Sequence, residues 1–225
     1  MPTPWDNAIR NRQPLTLTVF PTAAVTGGIW KPVFTKALQE FNALSSQLKL
    51  KVTLAASTTK PSEIDASGAD VLFDAASGQQ TIKAFGQTFT TIKRGGIPQP
   101  IQITGNGTEG LTITLGRSGT EKAYVFVPIT PMASSPNRLV GDPVKLFIAV
   151  HEFFHVCGLS DAEHSPGNNA DAFIGTPVVT PQLLVDPKNP DGDRISTGVF
   201  GVNQRRFPPI TLSARTAGLI QNNWP

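Results

Sequence analysis

The chain has a single cysteine, Cys157, so no intrachain disulfide can form and cysteine usage leaves the redox compartment open. No apolar run approaches the length of a membrane span. The first twenty residues, MPTPWDNAIRNRQPLTLTVF, hold no apolar segment behind a basic start, so no signal of that type is expected. The expectation is a soluble protein with no membrane partner, and secreted and cytoplasmic locations both stay open. Charge is scarce, at 16% of residues, and the net charge of +3 is mild. Basic residues are adjacent only at Lys93-Arg94 and Arg205-Arg206, which gives no stripe for nucleic acid. Methionine occurs only as Met1 and Met132, tyrosine only as Tyr124, and no glutamate follows Glu163. Neither a Gly-rich phosphate loop, a serine-triad signature, an aromatic RNA-binding motif nor an internal repeat is present.

What remains is a globular composition. Apolar residues make up 39% of 225, enough for a substantial core in one domain. Twenty Gly and twenty Pro predict many turns and long connections. Leu15–Phe20 alternates apolar residues with Thr and reads as a strand ending at Pro21. After Gly27-Gly28, Trp30, Val33, Phe34, Ala37, Leu38, Phe41 and Leu44 recur at helical spacing, for a helix of about four turns. Leu48–Leu54 alternates and predicts a second strand; Asp70–Asp74 predicts a short buried third. A strand–helix–strand crossover implies parallel pairing. Residues 75–100 read as a long connection. Ile101–Thr104 and Leu111–Leu115 are expected to form a hairpin across Gly105-Asn106-Gly107, and Ala123–Ile129 another strand. The fold class is therefore α/β (α+β): a mixed twisted sheet, a buried apolar helix and an irregular C-terminal part, with Thr211–Trp224 as a short closing helix.

The best-defined element begins at Asp142-Pro143, with Asp as N-cap and Pro at the first helical position. Val144–Cys157 is almost wholly apolar apart from Lys145, His151, Glu152 and His155, and Gly158 supplies the stop. His151 and His155, four apart, project from one helix face, as two imidazoles on one Zn²⁺ require. Glu152 lies beside the expected metal, placed to take a proton from a zinc-bound water and later give it to a departing amine. Phe153, Phe154, Val156 and Leu159 would keep the walls dry. All three histidines of the chain, His164 included, fall within fourteen positions. Histidines serving only core packing would be scattered.

The segment HEFFHVCGLSDAEH resembles the signature of the metzincin clan of zinc metallopeptidases, HExxHxxGxxH, with Gly158 at its turn. At the next signature position stands Asp161, as in the snapalysin-like branch, whose third ligand is aspartate. The order of elements before the motif is also metzincin-like. The resemblance implies a zincin fold over residues 1–225, with an N-terminal subdomain of about 15–158 and a C-terminal one of about 159–225. It also implies that Leu111–Leu115 is the edge strand pairing with an extended substrate. Two features of the clan are missing: a methionine downstream of the ligands, and a downstream tyrosine. Arg194, Arg205 or Arg206, backbone amides or the metal itself would then assist the oxyanion. The third ligand is open between Asp161, which has the position, and His164, which has the chemistry. His164 is preferred, with the other expected to orient a ligand.

Cys157 points about 200° round the helix from His155, so packing is preferred to metal binding. Asp186, Asn189, Asp191 and Asp193, in DPKNPDGD, could form a structural Ca²⁺ loop but lack the full EF-hand pattern, and a polar turn is the preferred reading. Glu163 reads as solvated. The expected function is that of a monomeric zinc endopeptidase with one catalytic Zn²⁺, acting on peptide or protein substrates. The alternative is a non-catalytic, zinc-stabilised binding module on a zincin-like scaffold.

Overall fold

The computed structural model describes residues 5–94, 97–106, 110–116, 121–134, 137–159, 182–185, 193–196 and 214–225. In chain order the first elements are α1 (Asn7–Arg10), β1 (Thr16–Pro21), α2 (Ala23–Thr26), α3 (Lys31–Leu48), β2 (Thr53–Ala56) and β3 (Val71–Ala76). Then come β4 (Gly78–Gln79), β5 (Ile82–Ala84), β6 (Gln87–Phe89), β7 (Thr91–Arg94), β8 (Ile97–Pro100) and β9 (Gln102–Ile103). β10 (Leu111–Leu115), β11 (Lys122–Pro128), β12 (Met132–Ser134), β13 (Asn137–Leu139) and α4 (Asp142–Val156) follow. Last are β14 (Gln182–Val185), β15 (Asp193–Ser196) and α5 (Ala214–Asn223).

The main sheet has five strands in the order β10-β11-β3-β1-β2. β1 is parallel to both β2 and β3, and β3 is parallel to β11; only β10 runs antiparallel, at the edge. The β1–α3–β2 crossover produces the parallel pair that its sequence pattern implied. Both sheet faces are covered, which explains why all seven residues of β11 are buried rather than every second one. On one face Leu17, Val19, Val71, Phe73, Ala123 and Val125 join the core under α3 and α4. On the other, Leu72, Tyr124, Phe126, Leu111 and Ile113 pack with Ile82, Ala84, Ile101 and Ile103, which come from the segment of short strands between β3 and β10.

The helical stripe holds as expected: Val33, Phe34, Ala37, Leu38, Phe41 and Leu44 of α3 are all buried. Phe41 meets Phe153 and Phe154 of α4 at ring-centroid distances of 6.2 and 5.4 Å, and Phe73 meets Phe153 at 5.5 Å. These offset and edge contacts couple α3, β3 and α4 into one aromatic core. Among the described residues, no helix is long and apolar enough to cross a membrane.

Five expectations are corrected. The alternation of Leu48–Leu54 is not one strand: Leu48 ends α3, Lys49 and Lys51 adopt positive φ (53° and 69°), and β2 begins only at Thr53. Leu50 and Val52 are fully buried, so the alternation reported burial through a turn rather than a strand. The connection 75–100 contains two antiparallel hairpins, β5–β6 and β7–β8. Ile103 pairs with Gly78 and Leu111–Leu115 with β11, so the two segments around Gly105 do not form a hairpin with each other. The cap of α4 is Gly141, whereas Asp142 is the first helical residue and bonds Lys145 Nζ at 2.8 Å. The irregular C-terminal stretch includes the antiparallel pair β14–β15, and the described part of the closing helix is α5, Ala214–Asn223.

Candidate metal centre

α4 carries the site, and it is held at both ends. Near its start, Lys145 Nζ donates to the Ile29 carbonyl at 2.9 Å as well as to Asp142. Its C-terminal carbonyls, which have no partner within a helix, are met by two indoles. Trp5 Nε1 donates to Val156 O at 2.6 Å, and Trp224 Nε1 to Cys157 O at 3.2 Å. Both tryptophans are buried. Segments from the two ends of the described chain therefore fix the end of the helix on which the histidines stand.

Gly158, with φ of 97°, turns the chain out of the helix as its motif position predicted. The turn returns the carbonyl of Leu159 to His155, whose Nδ1 lies 3.0 Å from it. A carbonyl oxygen only accepts, so Nδ1 carries a proton, and in a neutral ring Nε2 would then present the lone pair. That Nε2 lies 3.2 Å from Nε2 of His151, with ring centroids 4.9 Å apart. Two nitrogens on one tetrahedral zinc, each at about 2.0–2.1 Å, stand about 3.3 Å apart. The imidazole pair therefore has the spacing of two zinc ligands, and a carbonyl behind one ring is the usual way a ligand tautomer is fixed. Phe147 stacks on His151 at 6.3 Å and walls that side.

Glu152 is 2% exposed. Thr112 Oγ1, on β10, donates to Glu152 Oε2 at 2.7 Å and lies 3.2 Å from the Glu152 carbonyl. Gly110 abuts the same side chain so closely that a Cβ there would lie 2.5 Å from Oε1. Leu111 and Ile113 point into the second core cluster, so the alternation of a strand sends Thr112 to the opposite, helix-facing side. Thr112 and Gly110 were not singled out in the sequence. The Leu-Thr-Ile alternation shows that Thr112 leaves the apolar face, but nothing local shows that α4 lies there.

His151, Glu152 and His155 are thus together as expected. Asp161, His164, Glu163, Asp186, Asn189, Asp191, Arg205 and Arg206 lie outside the described residues, and Asp193 and Arg194 fall on β15. Among the described residues no group of three or more His, Cys, Asp or Glu assembles for a metal. Cys157 is fully buried and burial pushes its thiol well above the ordinary range, which keeps it protonated. The packing reading of this cysteine agrees with that environment. Tyr124 lies in the second core cluster, its phenol pushed up to about 12 by burial. No protein-family model matches the sequence, and no curated protein aligns with it significantly.

Proposed function

We propose that the chain is a zinc-dependent endopeptidase with a zincin, metzincin-like build. The observation that carries this reading is the His151–His155 pair: Nε2 atoms 3.2 Å apart, with the proton of His155 committed to Leu159 O. His151 and His155 would hold the ion, and His164 or Asp161 would complete the protein ligands. When bound, zinc supplies a Lewis acid that polarises the scissile carbonyl and lowers the pKa of water. Glu152 takes a proton from the attacking water and passes it to the departing amine. Its buried setting shields that proton transfer from bulk solvent. The antiparallel edge strand β10 places backbone groups beside α4, where an extended peptide would add as a further strand.

Glu152→Ala tests the proposal. Bound zinc is expected to stay near one ion per chain while peptide cleavage falls about 10²–10⁴-fold. Unchanged cleavage would exclude the mechanism. Zinc binding without cleavage in the wild-type protein, with both Asp161 and His164 on the ion, would instead support the non-catalytic zinc module.

A further inference from the structure

We propose that Thr112 and Gly110, at the start of the edge strand β10, form the seat that sets the position of the Glu152 carboxylate, Thr112 acting as its positioning residue. The inference deepens the peptidase reading and rests on it for its catalytic meaning. Glutamate has three side-chain torsions, and a base that must meet a reacting water gains from having them fixed before substrate arrives. Among the described residues, two contacts hold them. The Thr112 hydroxyl donates to Oε2 at 2.7 Å, a charge-assisted hydrogen bond that anchors one carboxylate oxygen. Gly110 leaves the space the side chain fills: a Cβ would stand 2.5 Å from Oε1 and 2.6 Å from both Cδ and Cγ.

Thr112 is suited to this task in a further way. Its single hydroxyl proton has two acceptors in reach, Oε2 at 2.7 Å and the Glu152 carbonyl at 3.2 Å. Rotation about Cβ–Oγ1 can move the donor from the carboxylate to the carbonyl and turn an oxygen lone pair toward Oε2. β10 is antiparallel to β11, with Thr112 opposite Val125. The strand that would receive substrate on its outer edge therefore also sets the base, so a shift of β10 would reach both.

The test uses the zinc-loaded full chain and three variants. Thr112→Val keeps the shape and removes the hydroxyl, Thr112→Ser keeps the hydroxyl, and Gly110→Ala pushes on the carboxylate from the other side. Thr112→Val is expected to lower kcat roughly tenfold to a hundredfold with little change in KM or zinc content, and Thr112→Ser to recover most of it. Gly110→Ala would set a Cβ 2.5 Å from Oε1 and 2.6 Å from Cδ and Cγ of the buried Glu152 side chain, so the carboxylate must shift and kcat should fall. Crystal structures of the metal-free variants supply a readout independent of activity. The Glu152 carboxylate should leave its place in Thr112→Val and Gly110→Ala and keep it in Thr112→Ser. A valine variant with wild-type kcat, a serine variant as slow as the valine one, or an unmoved carboxylate in Thr112→Val would overturn the assignment. If the wild-type chain binds zinc but cleaves no peptide, the peptidase reading fails, and the crystal structures still decide whether Thr112 and Gly110 seat the carboxylate.

Discussion

At position 155 a backbone carbonyl decides which ring nitrogen is available. Leu159 O accepts from Nδ1, which leaves Nε2 of His155 as the ring nitrogen that faces Nε2 of His151. The geometry follows from Gly158, whose left-handed φ brings Leu159 back under the ring. Gly158→Ala is expected to weaken zinc binding, because a Cβ resists that φ and pulls the carbonyl away. A chelator-competition titration would show it as a lower zinc affinity, and an unchanged affinity would contradict the link. Tyr124 supports a different prediction. Its hydroxyl is buried with no hydrogen-bond partner among the described residues, and burial raises its pKa to about 12. Folding thus favours the protonated phenol. That contribution is intact below the unfolded value of about 10 and is lost as pH climbs through about 12. Tyr124→Phe should therefore flatten the alkaline loss of stability in urea titrations between those limits, at little cost near neutral pH. An equally steep alkaline loss in the variant would show that Tyr124 is not its source.

At the scale of elements, α4 depends on contacts distant in sequence. Phe153 lies between Phe41 of α3 and Phe73 of β3 and is fully buried. Phe153→Ala is expected to cost about 3–5 kcal/mol in equilibrium unfolding, as a cavity at the junction of three elements. Trp224→Phe keeps an aromatic ring but removes the donor to Cys157 O and leaves a small cavity, for an expected loss of at least about 1–3 kcal/mol. A loss below a few tenths would mean that solvent replaces the indole at that carbonyl. These elements differ in how far the sequence revealed them. The periodicity of α3 and the near-continuous apolar run of α4 were readable because burial of a helix face leaves a local mark. Leu48–Leu54 misled because a turn with Leu50 and Val52 buried gives the same alternation as a strand. β5–β8 escaped because three- and four-residue strands give too few periods to register. The pairing of Leu111–Leu115 with β11 instead of with Ile103 is a choice between partners, which local pattern does not encode.

For the whole molecule, the sequence revealed the residues of the candidate site better than their setting. His151, Glu152 and His155 follow from helical spacing alone. Thr112, Gly110, Trp5 and Trp224 come to the site from strand β10 and from the two ends of the described chain, through contacts that span up to 151 residues. A site supported in this way would link zinc binding, as proposed, to the folding of the entire sheet–helix unit. Saturating zinc is expected to raise unfolding stability, by about 2.7 kcal/mol at a free concentration a hundredfold above Kd, and a chelator should reverse the gain. His155→Ala should be stabilised far less under the same conditions.

The most direct test of the central claim is a crystal structure grown with excess zinc, with anomalous scattering collected on both sides of the zinc absorption edge. A zinc peak bonded to Nε2 of both His151 and His155, with the Leu159 carbonyl still on Nδ1 of His155, is the predicted result. Two imidazoles bonded directly to each other, with no anomalous peak between them, would contradict it.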